Sequence, residues 1–219
     1  MLGDRDIKGL IDRAIDKLYD GLSNNIDKNN SDRIHALEAS RCTRLSYYER
    51  KEPLPLDKST KMTDMLRNGI RNSLKSDNNL GEYKVENLTL EVTSDMILNN
   101  EFVVIFEIVR DLPEIPHPRE LLYLNACLFA FNKIEGLIIY ITTEGKTLEF
   151  SVTKNNKMFE EIIRRARVLS TLLKENRVPI VEPSEFCLRC KYYERCYSTE
   201  KKSSNFSIES LMGLGKKGN

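Results

Sequence analysis

The chain of 219 residues is long enough for one domain with a sizeable core, or for one domain with a small appendage. Its hydrophobic fraction of 40% is typical of soluble globular proteins, and its formal net charge of +1 means that any DNA-binding surface has to be a local patch. The longest apolar runs, at 102–108 and 136–142, are strand-sized, and the charged N-terminal sequence has no signal-peptide core. We therefore predict a cytoplasmic protein that does not enter a membrane.

The first third of the chain is predicted to be helical. Apolar residues recur at helical spacing over 4–22, which predicts an amphipathic first helix. A polar loop leads to a second helix, predicted to start near residue 32, to carry Cys42 and to end near Tyr48. Prolines at alternate positions make 51–60 a loop, and a third helix is predicted over 63–74.

The middle of the chain changes to strand-like patterns. Runs rich in Val, Ile, Leu and Phe predict strands over 83–91, 102–109, 137–143 and 147–152. An apolar helix over 120–132 separates the second strand from the third, so these elements form a strand–helix–strand unit. A long helix over 156–176 follows. The pattern predicts an α/β fold with a small mixed sheet flanked by helices, and the Lys-, Ser- and Gly-rich end predicts a poorly ordered tail.

Three of the five cysteines lie in one short segment. The sequence EFCLRCKYYERCYS gives the spacing C-x2-C-x5-C with Cys187, Cys190 and Cys196. Thiolates with two residues between them can reach one metal centre from a single turn, and Cys42 in ASRCTRLSYYER is the candidate for a fourth ligand. Cys127 lies in the apolar helix, where a free cysteine acts as a small hydrophobe. The spacing by itself fits a zinc site, an iron–sulfur cluster or unpaired thiols.

The order of the segments resembles a known nuclease family. The chain resembles the RecB-like nucleases of the PD-(D/E)xK superfamily that carry an iron–sulfur cluster. The resemblance rests on the order of five segments: ASRCTRLSYYER, VTSDMIL, VVIFEIV, a helix leading into EGLIIYIT, and C-x2-C-x5-C. The likeness covers 33–196. It is strongest to the CRISPR-associated family called Cas-four and more distant to the AddB and Dna-two nucleases.

This resemblance implies three regions and one cofactor. An N-terminal helix and loop (1–30) precede a PD-(D/E)xK, restriction-endonuclease-like core (31–197), and a flexible tail (198–219) follows. The implied cofactor is a [4Fe–4S] cluster whose ligands are Cys42, Cys187, Cys190 and Cys196, which would clamp the N- and C-terminal segments together. A cluster that closes so long a loop constrains the unfolded chain, so a structural role needs no redox function.

The family pattern also implies two metal-binding carboxylates. Asp95 matches the Asp at the start of one strand and Glu107 matches the Glu on the next, and together they could bind Mg²⁺ or Mn²⁺. The family's lysine position is Val109, because Glu107 and Val109 share one face of a strand. The family's histidine is absent from its helix, where Arg71 or Ser73 stands instead.

Other family positions differ as well. The Gln-x-x-x-Tyr pair becomes Tyr123 and Cys127, and neither of the chain's two histidines is placed by sequence to replace the missing one. Each lost electrostatic group commonly costs about 100-fold in rate, so we predict an inactive or weakly active nuclease. An active exonuclease would need a relocated cation, for which Arg110 and Arg119 are the candidates.

Basic and aromatic residues flank the cysteines. A patch of cations and rings suits single-stranded DNA, with cations on phosphates and rings stacked on bases. The predicted DNA-contacting residues are Arg41, Arg44, Tyr48, Arg189, Lys191 and Arg195. The alternative is that the tyrosines pack around the cluster and the arginines are only solvated.

The leading hypothesis is an iron–sulfur protein with a degenerate nuclease site that binds DNA or a protein partner in DNA processing or CRISPR adaptation. The enzymatic alternative is a metal-dependent exonuclease with a relocated cation. The third alternative is a protein-interaction scaffold stabilised by Zn²⁺ at the cysteines.

Overall fold

The computed structural model describes residues 7–20, 29–74 and 79–198, and the chain divides into two compact units, Met1–Pro179 and Ile180–Asn219. The helices of the first unit are α1 (Ile7–Asp20), α2 (Ala36–Ser40), α3 (Thr43–Lys51), α4 (Lys58–Ser73), α5 (Pro118–Ala130) and α6 (Asn156–Lys174). Its strands are β1 (Arg33–His35), β2 (Asn79–Val85), β3 (Leu88–Ser94), β4 (Met96–Leu98), β5 (Phe102–Val109), β6 (Glu135–Thr142) and β7 (Thr147–Thr153). The second unit contains a 3-10 helix (Glu185–Arg189) and α7 (Tyr193–Ser198).

The described strands form two small sheets. One has the order β1-β3-β2, in which β1 is parallel to β3 and β2 is antiparallel to it. The other has the order β4-β5-β6-β7, in which β5 and β6 are parallel and the outer pairs are antiparallel. Since α5 connects the parallel strands β5 and β6, the predicted strand–helix–strand unit is confirmed, and the architecture is mixed α/β.

Helix α5 lies inside the first unit, in contact with α6 and with strands of both sheets. Its residues 123–128 are all buried, which explains why its sequence is predominantly apolar. Gly136 on β6 allows the closest approach: a Cβ there would lie 2.8 Å from Leu124 Cδ1 and 2.9 Å from the Val103 carbonyl oxygen. The helix is thereby held directly against the sheet that carries Asp95 and Glu107.

Some predicted boundaries were wrong. The strand predicted over 83–91 is the hairpin β2–β3, which turns at Glu86 with a φ of 54°. The helix predicted from residue 32 to Tyr48 is instead the strand β1 followed by the helices α2 and α3, and Cys42 lies between these two helices as the N-cap of α3. Helix α4 begins before the predicted residue 63 because the side chain of Asp57 caps it, accepting a hydrogen bond from Thr60 N at 2.9 Å.

None of the helices in the described part of the chain combines the length and the apolar character needed to cross a bilayer. The tail predicted over 198–219 lies, apart from residue 198, outside the described residues.

Candidate active site

The two predicted acids are brought together by neighbouring strands of the β4-β5-β6-β7 sheet. Asp95 lies between β3 and β4, and its backbone N–H donates to Val104 O of β5 at 3.0 Å. Its Oδ2 accepts from the backbone N–H of Phe106 at 2.7 Å. Glu107 is the next residue of β5, close enough that the charge of Asp95 contributes to its raised pKa. The structure therefore brings together the two residues that the sequence pattern singled out.

The carboxylate of Asp95 is already engaged by two arginines of α4. Arg67 donates from Nε to Oδ1 at 2.9 Å and from Nη2 to Oδ2 at 2.6 Å, and Arg71 Nη1 lies 3.5 Å from Oδ1. The Asp95 side chain is only 2% exposed. Charge-assisted hydrogen bonds of this kind are about twice as strong as neutral ones, so both oxygens are firmly held.

Glu107 is in a different electrostatic state. It is partly buried, and no hydrogen bond or ion pair to its carboxyl group is found among the described residues. Burial raises its pKa to about 7, with Glu120 and Asp95 adding to the effect and Arg67 and Arg119 opposing it. The neutral form of Glu107 is therefore favoured to a much higher pH than for an ordinary glutamate.

The cation nearest to Asp95 was not predicted from the sequence. Val109, which the resemblance puts in the lysine position, pairs with Thr142 on β6 and carries no charge. Arg67 is four residues before Arg71, and this helical spacing puts both side chains on one face of α4, a signal that was available in the sequence. Ser73, the other candidate for the histidine position, donates instead to Gly69 O at 2.9 Å within its own helix.

The two candidate relocated cations have different surroundings. Arg110 is exposed just after the end of β5. Arg119 lies in the first turn of α5, is 51% exposed, and its Nη2 is 3.6 Å from Glu120 Oε1. Glu120 is buried and accepts hydrogen bonds from the Tyr140 hydroxyl and from His117 N. Arg119 is thus the one of the two whose charge acts on Glu107.

The pair Tyr123 and Cys127, predicted to stand where the resembled family has Gln and Tyr, is internal. The Tyr123 hydroxyl donates to Thr93 O, and Cys127 Sγ lies 3.9 Å from the same oxygen. Burial raises the pKa of both groups. They therefore fix the end of β3 just before Asp95 and, uncharged, contribute packing and hydrogen bonds.

His35 has a structural role. Its Nδ1 accepts from Leu37 N at 3.2 Å, capping α2, and its Nε2 lies 3.1 Å from Thr93 Oγ1. Burial lowers the pKa of His35 to about 4, so the ring is neutral at physiological pH. A neutral ring is required for the Nδ1 acceptor, since a protonated imidazole has no acceptor nitrogen.

The backbone before Cys42 is fixed by the long helix α6. Arg165 donates from Nε to Ala39 O at 2.7 Å and from Nη2 to Arg41 O at 2.6 Å. These bonds satisfy carbonyl groups at the end of α2, where the helix stops. The interruption that places Cys42 between two helices is therefore a stabilised feature.

In the second unit, Cys187 and Cys190 lie on one turn. Cys190 N donates to Cys187 O at 3.0 Å. Cys187 Sγ accepts from Ser184 N at 3.3 Å, and this hydrogen bond lowers the pKa of the Cys187 thiol. Cys196 follows on α7. Over residues 7–20, 29–74 and 79–198, no group of three or more His, Cys, Asp or Glu side chains is placed to hold a metal ion. The cluster therefore stays a prediction.

The residues predicted to contact DNA differ in accessibility. Arg44 is 7% and Tyr48 3% exposed, with the guanidinium 5.9 Å from the ring centroid, and Arg41 forms an ion pair with Glu49. The remaining three are exposed: Arg189, Lys191 and Arg195. Contact with DNA stays a prediction for the whole set, and it is simplest for the three exposed residues.

No protein-family model matches the chain, and no curated protein matches it in sequence. Among solved structures the chain is similar to SSO0001, with 20% identity and a TM-score of 0.62 over 87% of this chain and 95% of that one. This likeness shows a shared fold, and a shared fold does not by itself imply a shared function.

Two exonuclease structures match more weakly. The alkaline exonuclease LHK-Exo from Laribacter hongkongensis has 6% identity and a TM-score of 0.46 over 74% of this chain and 93% of its own. A phage-related exonuclease from Haemophilus somnus 129PT has 7% identity and a TM-score of 0.47 over 66% of this chain and 96% of its own. Scores below 0.5 do not establish a common fold.

Proposed function

We propose that this chain is a DNA-binding protein of the PD-(D/E)xK nuclease type in which arginines occupy the place of the catalytic metal ion. The observation that carries the proposal is the state of Asp95, whose two oxygens are bound by Arg67, Arg71 and a backbone N–H. The resemblance implies that this carboxylate would otherwise bind Mg²⁺ or Mn²⁺.

A divalent cation would meet two obstacles at this site. Magnesium requires oxygen ligands in near-octahedral geometry, and both Asp95 oxygens already accept N–H groups. The ion would also lie beside Arg67 and Arg71, whose positive charges repel it. With Val109 in the lysine position, the chain also has no charged group there to orient an attacking water. We therefore expect little or no DNA cleavage.

Cleavage of single- and double-stranded DNA with Mg²⁺ or Mn²⁺ tests this directly. The wild-type protein should not cleave, and Val109→Lys alone should stay inactive because Arg67 still holds Asp95. Electron paramagnetic resonance should show that the protein does not bind Mn²⁺. Robust cleavage that disappears in Asp95→Ala or Glu107→Ala would overturn the proposal in favour of the active exonuclease, and cleavage that survives in both variants indicates a contaminating nuclease.

We also propose that the cysteines hold a [4Fe–4S] cluster, with the ligand set that the resemblance implies: Cys42, Cys187, Cys190 and Cys196. The donor chemistry fits, since Cys187 and Cys190 share a turn and the lowered pKa of Cys187 favours the thiolate that binds iron. The cluster, when bound, would supply iron–sulfur bonds between distant segments of the chain.

The colour of protein purified without oxygen tests the cluster. We expect broad absorbance near roughly 400 nm with bound iron and sulfide, as thiolate-ligated clusters show. Cys190→Ser should lose it, whereas the matched change Cys127→Ser, at a buried cysteine 3.9 Å from Thr93 O, should keep it. Colourless protein with one tightly held zinc would instead support the scaffold alternative.

Single-stranded DNA is the proposed partner, bound in part through the exposed Arg189, Lys191 and Arg195. Phosphate contacts release counterions, so the affinity should fall steeply with salt. Changing Arg189 and Arg195 together to Ala should weaken binding equally for all sequences. The absence of binding at low salt would remove DNA from the proposal.

A further inference from the structure

Arg67 engages Asp95 with only one side of its guanidinium group. The hydrogen bonds come from Nε and Nη2, at 2.9 and 2.6 Å. Within the described part of the chain, Nη1 has no hydrogen-bond partner. A guanidinium has five N–H groups, so the outer edge formed by Nη1 and the second N–H of Nη2 is available for another acceptor.

The two members of this pair differ in access to solvent. The Asp95 side chain is 2% exposed, whereas that of Arg67 is 26% exposed. The Asp95 carboxylate is also held by a hydrogen bond from Phe106 N and by the ion pair with Arg71. Arg67 is therefore a partly accessible cation in a defined orientation, and a donor held in place in advance loses little side-chain entropy when it binds a ligand.

The cations around Arg67 do not outnumber the acidic groups. Arg67, Arg71 and Arg119 stand against four carboxyl groups, those of Asp64, Asp95, Glu107 and Glu120. The local field therefore does not by itself collect anions, and binding here would depend on directed hydrogen bonds from the outer edge of Arg67. The acceptor that fits such an edge has two oxygens in one plane, as a phosphodiester or a carboxylate has.

We propose that Arg67 binds a backbone phosphate of DNA through this outer edge, with Asp95 acting as the positioning residue, so that the remnant of the nuclease site contributes to DNA binding. The proposal rests on the proposed DNA-binding function and deepens it by naming a contact. The rival explanation is that Arg67 and Asp95 form an ion pair that serves only the fold.

The experiment removes the pair without changing the net charge. In Arg67→Met/Asp95→Asn both charges of this pair are lost together, and the Asn side chain keeps an oxygen that can accept a hydrogen bond from Arg71, whose Nη1 lies 3.5 Å from Asp95 Oδ1. The matched control is Lys146→Met/Glu144→Gln, which removes an exposed pair with side chains 69% and 72% exposed. Affinity for a fluorescent 20-nucleotide oligo-dT is measured by anisotropy over a range of salt concentrations, after circular dichroism has confirmed the fold.

We expect Arg67→Met/Asp95→Asn to bind about tenfold more weakly, the effect of losing one charge-assisted contact. The slope of log affinity against log salt should become smaller by about 0.7, the value for one phosphate contact on a single strand. The control should match the wild type in both quantities. A merely structural pair would change the stability of the protein and leave the salt slope unchanged.

If the wild type binds DNA and the double variant binds with the same affinity and slope, the inference is wrong while the DNA-binding function stands. If the wild type does not bind DNA, both fail together. If the double variant does not fold, the variant Arg67→Lys tests the inference instead, because a lysine can pair with Asp95 but has no second edge of N–H groups. Unchanged DNA affinity in Arg67→Lys would overturn the inference, and a tenfold loss of affinity would support it.

Discussion

Replacing Glu107 by Gln should stabilise the protein, and more so at high pH. The folded-state pKa of Glu107 is raised from 4.5 to about 7 by burial. A carboxyl with a raised pKa folds best in its protonated form, so its contribution is complete below pH 4.5 and is lost as the pH rises through 7. The loss amounts to about 1 kcal/mol at pH 5 and about 3 kcal/mol at pH 8. These are upper values, because solvent reaches part of this carboxyl group.

Urea unfolding at pH 5 and pH 8, in EDTA to remove divalent ions, measures the difference between Glu107→Gln and the wild type. Other titrating groups are common to both proteins and cancel. We expect the advantage of the variant to grow by up to about 2.5 kcal/mol between the two pH values. The matched control is Glu101→Gln, an exposed residue just before β5, which should stay within about 0.5 kcal/mol of the wild type. An advantage that is constant with pH, or that becomes a disadvantage at pH 8, would refute the reasoning and show that the ionised Glu107 is stabilised by its neighbours.

Three further predictions concern the fold around the site. Because burial lowers the pKa of His35 to about 4, the stability of the wild type should fall as the pH drops from 6.5 towards 4. His35→Asn keeps a hydrogen-bond acceptor for the cap and should make the stability less dependent on pH, as measured by urea unfolding at pH 4.5 and 7. Arg50→Met should destabilise the protein by about 3–5 kcal/mol, since it removes the cation that pairs with the buried Glu38 carboxylate; a loss below 1 kcal/mol in chemical denaturation would contradict this. Gly136→Ala should lower thermal stability by about 1–3 kcal/mol, because the new methyl group overlaps Leu124 and a carbonyl oxygen; an unchanged melting temperature would show that α5 can move away.

The central architecture could be predicted from the sequence. Strand and helix periods are local properties, and for this reason the unit β5-α5-β6 and the long helix α6 were found with nearly correct bounds. The errors lie where short-range side-chain chemistry decides: at Glu86, whose positive φ turns one predicted strand into a hairpin, and at His35 and Glu38, which start a new helix where continuous periodicity predicted one long helix.

For the candidate site, the sequence showed which residue types are present and which are missing. The roles of Asp95 and Glu107 and the missing lysine at Val109 follow from the resemblance to the nuclease family, which predicts a degenerate nuclease. The exposure of Arg189 and the burial of Arg44, both in basic segments beside cysteines, could not be distinguished, because composition does not say which side of an element faces the core.

The chemical state of the two acids depends on contacts between distant parts of the chain. Arg67 is 28 residues from Asp95 along the chain, and their hydrogen bonds exist because α4 packs against β5. Glu107 is half-buried and has no hydrogen-bond donor to its carboxyl group in the described part of the chain, and this burial raises its pKa. The motif supplied two similar carboxyl groups, and the fold made one of them a saturated ion pair and the other a carboxyl that titrates near neutral pH.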